Sequence, residues 1–331
     1  MLKRFETIAP TQIEELYPEE LKYWREIKRI RRRVEILKNA NPDLIFCNTI
    51  HTAKWLFYAR MLGIPAITHV LELSQGFKTL TGFEHKIVNK FSRRFIAASD
   101  AVKHYLVEAQ GVASSKIDVV HAGVDVKRFG SPAGVDELKK SLGLEHSIII
   151  GTVGRITHVK GSDLFLRVAS KLKSTAGASM TTKFLVVATT ADREFFHKFE
   201  SHLSELGLSQ DVVVVRDVAD TAPYFSAMDI YVSTAREDPF PVVILEAMAS
   251  GKPVVGFAVG GIPEAVTPEC GTLVDGEDVD ALTGAIFKLI EDSGSRKSSG
   301  EAARRRVEER FTVERYAREV EGVIERVIGA A

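Results

Sequence analysis

Residues 237–256 read EDPFPVVILEAMASGKPVVG. The Pro239-Phe240-Pro241 turn leads into an apolar stretch of helix formers, Gly251-Lys252-Pro253 stops it, and Val254-Val255-Gly256 opens a buried strand. A helix followed at once by a strand apolar on both faces is the repeating unit of a parallel sheet covered by helices. Carboxylates stand at Glu237, Asp238 and Glu246, before and within the helix. The first turn of a helix offers unpaired N–H groups to an anion, whereas carboxylates accept hydrogen bonds from hydroxyls. A ligand that is part polyol and part phosphate would satisfy both, and a nucleotide-sugar is such a ligand.

The same alternation extends in both directions. Strands are expected near Leu44–Asn48, Ala66–His69, Phe95–Ala98 and Asp118–His121, then near Ile148–Val153, Phe184–Ala188, Val212–Val215, Ile230–Ser233, Pro253–Gly256 and Thr272–Val274. Between Val124 and His146 the chain carries Ser131-Pro132, Gly134 and a polar helix, which marks a domain boundary. SGSRKSSG, residues 293–300, reads as a polar loop before a charged C-terminal helix. Pro10 and Pro18 interrupt the start of the chain, and Glu19–Ala40 reads as an amphipathic helix made basic by Lys22, Arg25, Lys28, Arg29, Arg31, Arg32, Arg33 and Lys38. That charge is either a solvated face or a contact with an anionic membrane surface.

The composition excludes several classes. With 44 basic and 44 acidic residues among 331, no global field favours nucleic acid. Mean hydropathy is +0.01, no apolar run is long enough to span a bilayer, and MLKRFETIAP lacks the apolar region of a signal peptide. Cys47 and Cys270, far apart and flanked by apolar residues, read as buried thiols of a reducing compartment. A cytoplasmic protein is expected, with peripheral contact at the inner membrane face as the reading of the basic helix near residues 22–38.

A second chemical stretch is GTVGRITHVKGSDLFL, residues 151–166. An apolar strand ends in Gly154-Arg155, and Lys160-Gly161 opens the next helix. Glycine lets backbone approach a ligand, and the two cations could neutralise a diphosphate above the carboxyl edge of the sheet. The order of residues is neither a Walker A loop nor the GxGxxG of dinucleotide-binding folds. No Cys/His spacing suggests zinc and no Gly-x-Ser-x-Gly supports a hydrolase. Asp278-Val279-Asp280 resembles a metal-binding DxD but sits at a helix start, where capping explains it. His51, His121 and His158 read as structural or exposed histidines.

These pieces, with NPDLIF, GIPAITH, FIAASDAV, KIDVVHAGVD, MDIYVST and GKPVVGFAVGGIPEAV in order from about Asn41, resemble the retaining glycosyltransferases of family four, which have the GT-B fold. The resemblance implies two Rossmann-like domains facing across a cleft: residues 1–130 on the acceptor side, 147–312 binding the nucleotide-sugar, and a helix over 313–331 packing back on the first domain. It implies that Arg155 and Lys160 bind the donor diphosphate, that Glu246 holds the ribose, and that Asp238 or Glu237 faces the sugar. Gly154, Phe240, Pro241, Val242 and Val243 would line the donor, and His69 would close its site from the N-terminal domain. It implies a UDP-, GDP- or ADP-sugar as co-substrate, a glycan, lipid or small-molecule acceptor, and neither cofactor nor metal ion.

Two departures stand out. Asp238 occupies the register where the family usually has Glu, and Pro239 and Pro241 replace glycines, removing backbone donors. No strand with a Gly-rich loop precedes Asn41, so the N-terminal domain reads as incomplete. The alternatives are a non-catalytic nucleotide-sugar-binding module that works with a partner and a sugar-nucleotide epimerase of similar fold.

Overall fold

The computed structural model describes residues 19–130, 132–175, 181–191 and 193–329, with side chains described from residue 30 onward except at 175, 190, 191 and 193. The segment MLKRFETIAP, Pro10 and Pro18 lie outside the described residues, as do the side chains of Lys22, Arg25, Lys28 and Arg29.

The first half runs α1 (Glu19–Ala40), β1 (Ile45–Asn48), α2 (Ala53–Leu62), β2 (Ala66–Val70), α3 (Ser74–Phe77), α4 (Gly82–Phe91), β3 (Arg94–Ala97), α5 (Asp100–Glu108) and β4 (Ile117–Val119). Its four strands pair in parallel in chain order. Local chemistry sets the helix starts. Thr81 and Glu84 form a reciprocal capping box on α4, and the Ser99 hydroxyl accepts the Val102 N–H to start α5.

After α6 (Val135–Ser141) the second half runs β5 (Ile148–Ile156), α7 (Ser162–Thr175), β6 (Thr182–Ala191), α8 (Arg193–Glu205), β7 (Val212–Arg216), α9 (Ala222–Ala227), β8 (Ile230–Ser233), α10 (Val242–Ala249), β9 (Val254–Phe257), α11 (Ile262–Ala265), β10 (Gly271–Val274), α12 (Val279–Glu291), α13 (Ser293–Arg310) and α14 (Val313–Ile328). The strand order is β10-β9-β8-β5-β6-β7, all parallel. The chain moves outward from β5 to β7, then returns to β8 on the other side of β5. Connections leaving β5 and β8 therefore diverge, and a crevice opens at their carboxyl ends. Ile149, Ile150, Leu185, Val187, Val232 and Val255 are buried, as a doubly covered sheet requires.

Each of the ten strands read from the sequence is present, and β5 continues past Val153 through Gly154 and Arg155 to Ile156, with a register irregularity at its end. One expectation fails. Residues 293–300 are not a loop but the first turns of α13. Asp292 caps that helix, accepting the Ser295 N–H at 2.9 Å and its hydroxyl at 2.6 Å. Gly300 lies where a Cβ would stand 2.1 Å from the Gly251 carbonyl oxygen, so the helix packs closely behind α10 and buries Ala303 and Val307. Packing overrides the weak helix propensity of Ser and Gly.

Helix α14 crosses back to the first sheet. Val323 and Val327 pack with Ile67, Ile96 and Val120, and Arg326 pairs with Asp118 at 2.9 Å. Each fully buried valine contributes on the order of 1.5 kcal/mol or more. The crossing is pinned where the Val124 N–H donates to the Phe311 carbonyl at 2.9 Å and Val124 bridges Thr312. Cys47 and Cys270 are buried free thiols, and burial pushes the Cys47 thiol up to about 11.

Candidate active site

A cleft of about 430 Å³ opens at the carboxyl ends of β5 and β8, lined in part by Gly154, Arg155, Lys160, Tyr231, Thr234, Asp238 and Val243. Gly154 adopts φ 151° as β5 breaks its register. The following loop is held tightly. Gly161 has φ 65°, and a Cβ there would stand 1.8 Å from the Thr234 carbonyl oxygen. The Thr234 hydroxyl donates to the Gly161 carbonyl at 2.8 Å, and the Arg236 N–H donates to the Val159 carbonyl at 2.8 Å. Arg236 also grips Asp163 with two 2.8 Å bonds and reaches Glu277 at 3.1 Å. Burial opposes ionisation of Asp163, but Arg236 outweighs it and holds the carboxyl below its ordinary value.

That frame places Lys160 against Asp238, Nζ to Oδ2 at 2.5 Å, with Asp238 almost wholly buried. Arg155 is exposed and makes no ion pair among the described residues. Among the described residues the cleft thus offers one cation without an ion pair, one neutralised by a carboxylate, and an apolar wall. Tyr231 forms part of that wall; burial, with the charges of Asp238 and Glu246, raises its hydroxyl pKa.

Glu246 is half-buried on α10, and among the described residues its carboxylate accepts no hydrogen bond. Burial pushes its pKa from 4.5 to about 7, against the attraction of Arg128 and with Asp220 adding to the rise. Arg128 and Asp220 pair at 2.8 Å beside it. A carboxylate deprived of partners in this way is poised to accept ligand hydroxyls.

Other residues singled out from the sequence are placed differently. Glu237 turns away from the cleft and accepts the Ser74 hydroxyl at 2.5 Å and the Gln75 N–H at 3.1 Å. Of the two neighbouring acids, Asp238 is the one that lines the cleft. The Phe240 ring is buried between His121 (4.8 Å) and Phe311 (5.6 Å), and Pro241 is the buried N-cap of α10. Val242 is 40% exposed, while Val243 reaches the cleft. His69 does not line this cleft. Its Nδ1 lies 3.0 Å from the Asn48 side-chain oxygen, and its ring packs near Phe46 and Tyr316 of α14. Burial lowers its pKa from 6.5 to about 4, so the ring is neutral at pH 7. Asp278 caps α12 by accepting the Ala281 N–H at 2.9 Å.

The sequence reading passed over the seam between the halves. Glu264, from Gly260-Gly261-Ile262-Pro263-Glu264, caps α5 of the first half by accepting the Asp100 and Ala101 N–H groups at 2.8 and 2.9 Å, and it meets His121 Nε2 at 2.7 Å. Burial acts to raise its pKa, but these bonds outweigh that and hold it below the ordinary value. The Ser99 hydroxyl donates to the Pro239 carbonyl at 2.6 Å. Asp100, His121 and Glu264 bring three potential ligand atoms within 4.8 Å of one another. Both Glu264 oxygens already accept hydrogen bonds, so the trio is accounted for as a helix cap with an ion pair. The quoted FIAASDAV, KIDVVHAGVD and GGIPE stretches contained these residues, but nothing in any one of them names the others as partners.

Two facing parallel α/β sheets, with a cation-lined cleft at the switch point of the second, define a nucleotide-binding fold of the GT-B class. Comparison with known proteins gives the family. The profile described as Glycosyl transferases group 1 matches residues 134–306, and that of Glycosyltransferase Family 4 matches residues 5–128. The chain belongs to the glycosyl transferases group 1 family. It is 32% identical over 216 residues to the lipopolysaccharide core biosynthesis mannosyltransferase LpcC of Rhizobium leguminosarum bv. viciae, covering 64% of this chain and 60% of that protein. It is 30% identical over 217 residues to a D-inositol 3-phosphate glycosyltransferase of Kribbella flavida, covering 63% and 51%. The match thus spans between half and two thirds of the length of these relatives. Among solved structures, Anabaena Alr3699/HepE in complex with UDP-glucose superposes with a TM-score of 0.80 at 21% identity, over 89% of this chain and 82% of that one. A glycosyltransferase from Rickettsia africae gives 0.79 at 20% identity, over 96% and 85%. At these identities the likeness is one of fold.

Proposed function

We propose that this protein transfers a sugar from a nucleotide-sugar to an acceptor hydroxyl with retention of anomeric configuration. The observation that carries the proposal is the cleft at the end of β5, where Arg155 and Lys160 stand beside the buried Asp238. In the reaction the acceptor oxygen bonds to the anomeric carbon as the bond from that carbon to the diphosphate oxygen breaks. The nucleoside diphosphate leaves and takes up the acceptor's proton. Charge grows on the departing phosphate, and fixed cations stabilise it most at that moment. Arg155 and Lys160 supply that charge without a metal ion, Asp238 orients the sugar, and Glu246 accepts the ribose hydroxyls. UDP and UDP-glucose in the structural neighbours and the mannosyltransferase name of a relative favour hexose donors.

Thermal-shift titration with UDP-, GDP- and ADP-sugars, followed by assay of released nucleotide, tests the proposal. One nucleotide class should stabilise the protein and be turned over; binding without any turnover would leave only a binding module. Because Glu246 titrates near 7 and binds hydroxyls as the carboxylate, donor affinity should rise from about pH 6 to about pH 8. Glu246→Gln should flatten that profile. No described helix is long and apolar enough to cross a membrane. The exposed Arg31, Arg32 and Lys38 on α1 favour contact with an anionic membrane surface, while Arg33 packs over Trp55 and Tyr58. Arg31→Glu with Arg32→Glu should abolish co-sedimentation with phosphatidylglycerol vesicles, and unchanged co-sedimentation would remove α1 from the proposal.

A further inference from the structure

Glu237 and Asp238 are adjacent in the chain, yet they serve different halves of the molecule. Asp238 pairs with Lys160 in the cleft at 2.5 Å. Glu237 accepts the Ser74 hydroxyl at 2.5 Å and the Gln75 N–H at 3.1 Å, both at the start of α3 in the first half. A single peptide unit joins the two carboxylates. Its surroundings leave little slack, because Arg236 before it is locked to Asp163 and the Pro239 carbonyl after it accepts from Ser99.

The far end of this connection is also braced. Glu72, two residues before Ser74, accepts the Leu71 N–H at 3.0 Å and the hydroxyl of Thr49. Thr49, directly after β1, has φ 92°, a conformation that a β-branched residue holds only under constraint. A continuous chain of bonds therefore runs from Lys160 through Asp238, Glu237 and α3 to the carboxyl edge of the first sheet.

We infer that Glu237 is a positioning residue, a tie that carries nucleotide occupancy at Lys160 to α3 of the N-terminal half. The inference rests on the reading of Lys160 as a diphosphate ligand. A diphosphate at Lys160 competes with Asp238 for the ammonium group. Asp238 is almost wholly buried, so the released carboxylate has little room to rotate about its own side-chain bonds, and the change falls on the peptide that it shares with Glu237. Held at α3, that peptide passes the change across the seam instead of absorbing it in a loose loop. Glu237 touches no donor atom in this arrangement.

Amide hydrogen exchange with UDP and with GDP tests the tie on the intact chain. In the wild type, the nucleotide that binds should slow exchange in residues 152–162, which touch it, and about fivefold to tenfold in residues 71–80, the scale of the net contribution of one hydrogen bond. In Glu237→Ala, which removes both acceptors, the protection of 152–162 should remain, nucleotide affinity should stay within about threefold, and the response of 71–80 should vanish. Ser74→Ala, which removes the shorter of the two bonds and leaves the Gln75 N–H in place, should reduce the response of 71–80 without touching the cleft. Persistence of the 71–80 response in both variants overturns the inference. So does a fall in affinity for Glu237→Ala as large as that for Lys160→Ala, since Glu237 would then be a ligand. If neither nucleotide protects 152–162 in the wild type, the donor-site reading itself fails, an outcome plainly separate from the other two.

Discussion

Replacing Lys160 with alanine is expected to cut donor cleavage by about 10²–10³-fold, the range seen when one fixed donor to a developing oxyanion is removed. The loss should fall on kcat more than on KM, because in the proposed reaction the charge that Lys160 meets is largest in the transition state. The structure adds a complication. Lys160 also neutralises Asp238, which is almost wholly buried, and removing it leaves that carboxylate without its partner. A stability loss of about 1–3 kcal/mol should accompany the change. The double variant Lys160→Ala with Asp238→Asn separates the two effects. It should recover much of the stability while turnover stays low, as read by urea denaturation and nucleotide release. Turnover that returned with stability would mean that Lys160 acts through the fold, not on the phosphate.

The second large effect concerns the turn that presents Lys160. Gly161→Ala must place a Cβ 1.8 Å from the Thr234 carbonyl oxygen while holding φ at 65°. The turn has to move, and a loss of about 3 kcal/mol or more is expected, together with nucleotide binding. Gly207 supplies the control. It has the same φ of 65°, but a Cβ there meets nothing within 4 Å. Gly207→Ala should cost only the left-handed strain, about 1–2 kcal/mol. Comparable denaturation midpoints for the two variants would show that the close approach to Thr234 is not what fixes the turn.

Much of the architecture could be read from the sequence because strands buried on both faces leave unmistakable apolar runs, as at Ile148–Val153 and Val212–Val215. The start of α13 escaped notice because its Ser- and Gly-rich first turns are stabilised by Asp292 and by close packing on Gly251, and that packing is invisible in local composition. The acidic motif could be found, but the directions of its side chains could not. Spacing leaves Glu237 and Asp238 equivalent, and only the Pro-Phe-Pro turn with its partners at Ser74 and Lys160 separates them. His69 shows the same limit. Its strand was evident, whereas its surroundings depend on α14, nearly 250 residues further along the chain. Glu264 and His121 belong to this group too, since a contact between halves has no signature within either half.

The return of α14 to the first sheet has a mechanical consequence. The chain passes between the halves twice, once after β4 and once before α14, and the two passages touch at Val124, Phe311 and Thr312. Two threads fastened at one point behave as a pivot. A swing of the halves about that point would have to break the Glu264, Ser99 and Glu237 bonds across the seam, and sliding past one another would also break the Val124 bridge.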